Sequence, residues 1–255
     1  MAALTSSKPN RVRLATLGLL LVGLFAGTVH GRFGLPTPQP SSRQDEGSPQ
    51  RWEPHIRKLE QYARSHSSNS GGVVFVGSSS IRLWRGLAQD MAPVRVLRQG
   101  FGGAQTLDVL HYAKRLVLPH SPRAVVYYAG DNDLANKPPP PAGQVRAHFA
   151  KFVKTIRQSG QSPEFYFVSI KPSPRRFGYW PQMEKANHLV EELAWRDAGI
   201  HYVDIASAML GADGLPRPEL YADDGLHMSP RGYALWTRIL KPILQSQVGP
   251  NPLFL

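Results

Sequence analysis

The sequence predicts an α/β fold in which a parallel sheet of about five strands is covered by helices on both faces. Short apolar runs alternate with segments of helical periodicity along most of the chain, as in proteins built from β-α-β units. One apolar run, Val73–Val76, ends in a glycine and three serines, which is typical of a buried parallel strand. The chain of 255 residues is long enough for one such domain with additional segments at its ends.

The N-terminal segment has the pattern of an export signal. Lys8, Arg11 and Arg13 precede an apolar run over residues 14–29, which predicts either a secretory signal peptide or an uncleaved membrane anchor. A stretch rich in Pro, Ser, Gln and Gly follows and predicts a flexible linker. The predicted organisation is a signal peptide or anchor, a linker, a folded domain and a C-terminal tail, over residues 1–31, 32–50, 51–246 and 247–255. We therefore expect an exported protein that is periplasmic, secreted or anchored to the membrane.

Composition excludes several classes of function. The chain contains no cysteine, which excludes disulfides, thiolate catalysis and cysteine-ligated metals. It carries 30 Lys and Arg against 18 Asp and Glu, a net charge of +12. These basic residues are scattered and no nucleic-acid-binding module is recognisable, so we expect no specific nucleic-acid partner.

The first half of the folded domain contains three of the predicted strands. Apolar residues recur at helical spacing between Trp52 and His66, which predicts a first amphipathic helix. In a later helix, Leu107, Leu110 and Ala113 are expected on the buried face. The predicted elements after the first helix are a strand over Val73–Val76, a helix over Ile81–Leu87, a strand over Val94–Leu97, a helix from Thr106 to about Leu116, and a strand over Ala124–Ala129.

The second half continues the alternation. A stripe of apolar residues predicts a long helix before the fourth strand, namely Val145, Phe149, Phe152, Val153 and Ile156. The elements predicted after it are a strand over Phe165–Ile170, a helix over Gln182–Ala198 and a strand over Ile200–Val203. Ser229 followed by Pro230 is typical of a helix start and predicts the last helix.

The serines that follow the first strand are candidates for chemistry. In open α/β sheets, ligands bind outside the carboxyl ends of the strands, and the N-terminus of the next helix lies beside them. A nucleophilic serine at this turn would be well placed. The alternative interpretation is a turn that only caps a helix, since serine is a favoured N-cap residue.

Three further motifs carry polar groups or exposed backbone. They are Gly100-Phe101-Gly102-Gly103, Gly130-Asp131-Asn132-Asp133 and Asp224-Gly225-Leu226-His227. Acyl transfer to water requires a hydroxyl nucleophile, an imidazole base, a carboxylate to orient it, and donors for the oxyanion. Each motif also has a structural interpretation, since glycines accommodate unusual dihedral angles, Asn and Asp form turns, and a single histidine is usually structural.

The order and spacing of these motifs resemble those of the SGNH, or GDSL-type, hydrolase superfamily. The resemblance extends from about Val73 to Leu244. Within the superfamily, the chain looks most like the lipase/acylhydrolase group related to platelet-activating-factor acetylhydrolase subunits. The resemblance implies a three-layer α/β/α, flavodoxin-like fold and a serine esterase that cleaves a carboxylic ester.

The resemblance also implies roles for residues at the first three motifs. Ser79 stands at the position of the family nucleophile. The backbone N–H of Gly103, the side chain of Asn132 and the backbone N–H of Ser79 would form the oxyanion hole. Ser78 departs from the family pattern, because it stands where the family has Asp, and this places the hydrogen bonding of the turn in question.

The C-terminal motif would complete the catalytic triad. In the resemblance, His227 takes the proton from Ser79 and Asp224 orients the imidazole. Asp223 is the adjacent alternative for the carboxylate, and we prefer Asp224 because its spacing from His227 matches the family motif.

The resemblance implies no metal or organic cofactor. The expected substrate is a small-molecule, lipid or glycan ester, such as a short-chain acyl ester, an O-acetylated glycan or a lysophospholipid. Residues 14–29 would provide any association with a membrane. The alternative function is an envelope binding protein that keeps the fold without turnover, which only the replacement by Ser78 favours.

Overall fold

The computed structural model describes residues 47–66 and 70–248. Within them, one sheet has the strand order β2-β1-β3-β4-β5, and all neighbouring strands are parallel. The strands are β1 (Val73–Gly77), β2 (Val96–Gly100), β3 (Ala124–Tyr128), β4 (Glu164–Val168) and β5 (Ile200–Val203). This is the flavodoxin-like order, in which the crossovers change direction between β1 and β3. The predicted parallel sheet of five strands is confirmed.

Helices connect the strands and cover the sheet. The described helices are α1 (Glu53–Arg64), α2 (Ser79–Arg82), α3 (Leu87–Met91), α4 (Thr106–His111), α5 (Ala113–Val117), α6 (Asp131–Leu134), α7 (Gly143–Arg157), α8 (Trp180–Arg196), α9 (Ala206–Met209) and α10 (Pro230–Val248). Short 3₁₀ turns occupy Pro49–Trp52, Leu118–His120, Pro174–Tyr179 and Pro218–Leu220. Helix α10 begins at Pro230, as the Ser-Pro pair predicts.

The sheet is buried on both faces, which explains its continuous apolar strands. Side chains alternate between faces along a strand, so Val74 and Val76 of β1 join one core while Val73 and Phe75 join the other. The first core includes buried residues of α1, α5, α7 and α8, and the second includes those of α2, α3, α9 and α10. This arrangement confirms the expected three-layer α/β/α fold.

The helix predicted over Ile81–Leu87 is wrong in its bounds. The structure instead has α2 and α3, separated by a turn. Arg98 donates from Nη1 to the carbonyls of Arg82 and Trp84 at 2.8 and 3.3 Å. These bonds satisfy carbonyl groups at the point where α2 ends after one turn.

Two further predictions needed correction. The second strand lies at Val96–Gly100, where its register with β1 pairs Val73 with Val96 and Gly77 with Gly100. The predicted bounds were Val94–Leu97. In α4, Leu107 is 44% exposed although its spacing predicted a buried position. The buried side of α4 instead holds Thr106, Asp108 and Val109.

Some predictions lie outside the described residues. They include the signal peptide or anchor, most of the linker, and the C-terminal tail beyond Val248. Within the described part, the first turn begins at Pro49 and the last helix ends at Val248. No helix among the described residues combines the length and the apolar character that crossing a membrane requires.

Candidate active site

The carboxyl ends of β1, β2 and β3 bring three of the sequence motifs to one edge of the sheet. Gly77 at the end of β1 is in register with Gly100 on one side and Tyr128 on the other. Bonding continues past the strands, since Phe101 N donates to the Gly77 carbonyl and Ser78 N to the Tyr128 carbonyl, both at 2.9 Å. The loops after these strands therefore start side by side at the point where the crossovers change direction.

Ser79 occupies the first position of α2, directly after a tight turn. Gly77 has φ +139, and a Cβ there would lie 1.8 Å from the Tyr128 carbonyl oxygen, so only glycine fits. The turn delivers Ser79 to the sheet edge with 9% of its surface exposed. Its backbone N–H lies at a helix start, where the helix supplies no acceptor. Because Ser79 keeps part of its surface exposed and lies at a helix start, its hydroxyl and its backbone N–H are available to a ligand.

The loop before α10 carries an imidazole and a carboxylate to Ser79. His227 Nε2 lies 3.1 Å from Ser79 Oγ, and His227 Nδ1 lies 2.5 Å from Asp224 Oδ2. The loop is closed by the bond from Ala222 N to the His227 carbonyl at 2.8 Å. Asp224, and not its neighbour Asp223, contacts the imidazole. The structure thus brings together the three residues that the sequence suggests as a triad.

The second oxygen of Asp224 is held by its own loop. Oδ1 accepts from the backbone N–H groups of Leu226 and His227, each at 2.9 Å. Burial acts to raise the pKa of Asp224, but these two N–H donors and the His227 side chain lower it to about 2. The carboxylate is therefore ionised over the neutral pH range and can hold Nδ1 protonated, which leaves Nε2 as the acceptor towards Ser79.

The loops after β2 and β3 meet through Asn132. Its Nδ2 donates to the carbonyl of Ala104 at 2.9 Å, and its Oδ1 accepts from Arg176 Nη1 at 3.0 Å. Gly103, the residue before Ala104, has φ +77, which glycine adopts without strain. The side chain of Asn132 consequently links the loop after β3 to the loop that contains Gly103.

A second connection joins the same two loops. Asp133 accepts from Thr106 N at 3.0 Å and from Thr106 Oγ1 at 2.5 Å, and Thr106 Oγ1 also lies 2.7 Å from His148 Nδ1. Burial raises the pKa of Asp133 to about 6, although the bonds from Thr106 act to lower it. Neither Asp133 nor Thr106 was predicted to have a role in the site. Their position directly after a strand and at a helix start is the signal that points to them.

Behind Asn132 lies a buried group of charged side chains. Lys171 Nζ lies 3.3 Å from Asp131 Oδ2 and 3.1 Å from Tyr128 Oη. Arg176 Nη1 lies 3.4 Å from the same Asp131 oxygen. Burial acts to raise the pKa of Asp131, but the charges of Lys171 and Arg176 keep it below its ordinary value. Two cations thus share one carboxylate.

Comparison with known proteins identifies the family. The profile of the GDSL-like Lipase/Acylhydrolase family matches residues 68–235, which include Ser79 and His227. The chain belongs to this family. An isoamyl acetate-hydrolyzing esterase 1 homolog from Bos taurus is 30% identical over 183 residues, which cover 63% of this chain and 72% of that relative. The chain is accordingly a carboxylic ester hydrolase, and the resemblance found in the sequence is confirmed.

Solved structures of other GDSL-like hydrolases have the same fold. A GDSL-like lipase from Bacteroides thetaiotaomicron superposes with a TM-score of 0.61 at 20% identity, covering 75% of this chain and 98% of the other. A catalytic mutant of an acetylxylan esterase from Geobacillus stearothermophilus superposes with a TM-score of 0.56 at 17% identity, covering 71% and 96%. At these identities, the similarity concerns the fold.

Ser78 is the point at which the chain departs from the GDSL-like pattern. It is fully buried, and no group in the described part of the chain is within hydrogen-bonding reach of its hydroxyl. Backbone bonds hold the turn instead, since the Ser78 carbonyl accepts from Ile81 N and Arg82 N, each at 3.1 Å. The turn therefore keeps its shape without a carboxylate at this position.

Proposed function

We propose that the chain hydrolyses esters of short acyl groups, such as acetate, through a covalent acyl-Ser79 intermediate. The relay from Asp224 through His227 to Ser79, with distances of 2.5 and 3.1 Å, is the observation that carries this proposal. A neutral imidazole whose Nδ1–H is held by a carboxylate is the arrangement that makes a serine hydroxyl nucleophilic.

The proposed reaction proceeds in two halves. Ser79 Oγ bonds to the ester carbonyl carbon while His227 Nε2 takes the hydroxyl proton, and the carbonyl electron pair moves onto its oxygen. The bond to the alkoxy oxygen then breaks, and the departing alcohol takes the proton from Nε2. Water repeats the sequence on the acyl-enzyme, which releases the acid and restores Ser79.

The oxyanion of each half-reaction would be bound by three donors. These are the backbone N–H groups of Ser79 and Gly103 and the side chain of Asn132. The Asn132 amide nitrogen uses one hydrogen in its bond to Ala104 and retains a second. One such donor commonly contributes a factor on the order of 10²–10³ in rate, so the two loops matter as much as the triad.

Two observations support a short acyl group and an alcohol side that is open to solvent. The relative at 30% identity is named for isoamyl acetate, and a structural neighbour is an acetylxylan esterase. The side chains of His227 and Asp224 are 32% and 39% exposed, so the His227 side of the site, where the alcohol would leave, is open to solvent. An open side accommodates the alcohol of a glycan as well as a small alcohol.

Covalent labelling and turnover by the full chain test this proposal. A fluorophosphonate probe is expected to label wild-type protein on Ser79, to fail on Ser79→Ala, and to react much more slowly with His227→Ala. The exposed Ser207 provides the control, and Ser207→Ala should label normally. With p-nitrophenyl esters, turnover is expected to decrease from acetate to longer chains. Labelling on Ser78 or Ser80 would overturn the assignment, and a preference for long chains would favour a lysophospholipid.

We also propose that residues 1–31 direct export, with residues 14–29 as the anchor if this segment is retained. The basic residues before an apolar run support this proposal. The intact mass of the protein from membrane and soluble fractions of the native host tests it. A cytoplasmic chain with its N-terminus intact would contradict it.

A further inference from the structure

The segment after β4, residues 171–176, contacts both halves of the active site. The hydroxyl of Tyr221 donates to the carbonyl of Pro172, and Arg175 N donates to the carbonyl of Gly225 at 3.0 Å. Gly225 belongs to the loop that carries Asp224 and His227. Through these bonds, the segment is fixed against the loop of the proposed base.

The end of this segment reaches the other half of the site. Arg176 Nη1 donates to Asn132 Oδ1 at 3.0 Å, while Asn132 Nδ2 donates to the Ala104 carbonyl at 2.9 Å. A guanidinium can only donate and a carbonyl can only accept, so the two neighbours together fix which way the amide points. Rotation of the amide by 180° would place its NH₂ against Arg176 and its oxygen against the Ala104 carbonyl.

Arg176 is itself held from behind. Its Nη1 lies 3.4 Å from Asp131 Oδ2, which also pairs with Lys171 Nζ at 3.3 Å. The side chains of Lys171 and Asp131 are 1% and 4% exposed, so this support is inside the protein. Arg176 is 19% exposed and lies between the buried charges and Asn132. Lys171, Arg176 and Asp131 leave a net charge of +1 in this group.

We propose that Arg176 is a positioning residue for the oxyanion hole, which it serves by holding the Asn132 amide with its nitrogen towards the reacting carbonyl oxygen. Without Arg176, only the Ala104 carbonyl would select this orientation, and the amide would present its oxygen to the developing negative charge for more of the time. Such an orientation would replace an attraction by a repulsion at the oxygen on which charge develops. The inference rests on the proposed acyl-Ser79 mechanism.

A double-mutant cycle in the full chain tests this role. Steady-state kinetics with p-nitrophenyl acetate would be compared for wild type, Arg176→Gln, Asn132→Ala and the double variant. If Arg176 acts through Asn132, Arg176→Gln should lower kcat by roughly 10- to 100-fold, with KM changed less than about threefold. In the Asn132→Ala background the same substitution should change kcat by less than about threefold.

Two further variants separate this role from others. Arg175→Gln is the matched control, because the side chain of Arg175 is exposed and its contact with Gly225 uses only the backbone. It should retain kcat and KM. Arg176→Lys keeps a positively charged donor, which Gln does not, without the planar fork, and should recover part of the loss. Thermal unfolding of each variant would identify any loss of folded protein.

Several outcomes would overturn the inference. An equal loss of kcat with and without Asn132 would mean that Arg176 acts independently of the amide. A rise in KM alone would make it a substrate contact, and a lower Tm with normal kcat would make it structural. These results are distinct from failure of the proposed function, in which Ser79→Ala would retain turnover.

Discussion

The loop that carries Asp224 and His227 is held together by its own backbone, whereas Asn132 is held by residues far away in the sequence. Asp224 bonds to groups two and three residues away. Asn132 bonds to Ala104 and Arg176, which lie 28 and 44 residues away. The side chains of Asp224 and His227 are 39% and 32% exposed. Those of Asp131 and Lys171, which lie behind Asn132, are 4% and 1% exposed.

This difference has a consequence for mutations. A substitution of an exposed side chain in the loop of Asp224 removes a chemical group while few buried contacts change. A substitution in the buried half disturbs hydrogen bonds and charges that also hold two loops to the sheet. Activity and stability should therefore separate in the loop of Asp224 and should change together around Asn132.

The largest expected effect is a loss of activity in the exposed half of the site, which contains Asp224 and His227. Asp224→Asn should lower kcat on p-nitrophenyl acetate by on the order of 10⁴, because an amide at this position no longer fixes the imidazole tautomer that accepts the serine proton. The Tm should stay close to the wild-type value, since the carboxylate is 39% exposed. Asp223→Asn is the matched control and should keep most of the activity. The reverse pattern would transfer the orienting role to Asp223.

The next expected effect concerns Asp133 in the buried half of the site and is a change in the free energy of unfolding. The pKa of Asp133 is raised from 3.8 to about 6 by burial, so the folded protein binds this proton more tightly than the unfolded chain. The stability that Asp133 contributes is present below about pH 4 and is lost as the pH rises through 6. Asp133→Asn, which has no proton to lose, should gain up to about 3 kcal/mol relative to wild type between pH 4 and 7.5.

Urea unfolding at several pH values measures this difference. Groups that titrate in the same way in both proteins cancel in the difference between their free energies of unfolding. Asp131 and His148 are exceptions, because they are neighbours of Asp133. Asp223→Asn controls for the removal of one carboxylate from the surface. A difference between Asp133→Asn and wild type that does not change with pH would show that Asp133 keeps an ordinary pKa.

The parts of the structure that local sequence determines could be predicted. Strands β1, β3 and β4 could be predicted because each contains a short apolar run buried on both faces, and the triad residues because each belongs to a short motif. Ser79, His227 and Asp224 lie within bonding distance as the motifs suggest. The preference for Asp224 over Asp223 follows from spacing within one loop.

The contacts that join distant loops could not be predicted from local patterns. Arg176 stands among other polar residues, and only the parallel sheet brings its segment to the edge where Asn132 lies. The same is true of Arg98, which bonds to two carbonyl groups where α2 ends. A positional signal exists for the buried charges, because Asp131 and Lys171 both follow the carboxyl ends of strands.

The smallest expected effect concerns α4, where periodicity placed one residue wrongly. Of the three residues predicted on the buried face, Ala113 is buried and Leu110 packs against the core, whereas Leu107 lies at the surface. Leu107 is 44% exposed and Val109 is fully buried, although the spacing of leucines favoured Leu107. Thr106 N bonds to Asp133, and Asp108 accepts from Gln105 N at 2.9 Å and Arg51 at 2.7 Å. These polar contacts turn the side of Thr106, Asp108 and Val109 inwards, and Leu107 is left at the surface.

Leu107→Ala should therefore change the free energy of unfolding by less than about 0.5 kcal/mol. Val109→Ala removes two buried methyl groups and should destabilise the protein by about 2 kcal/mol. Urea unfolding of the two variants at one pH measures both values. Because α4 begins beside the Gly103 loop, Val109→Ala should also lower kcat, while Leu107→Ala leaves it close to wild type. A larger loss of stability in Leu107→Ala than in Val109→Ala would show that Leu107 is buried, as periodicity predicted. It would also mean that the polar contacts of Thr106 and Asp108 do not set the orientation of this helix.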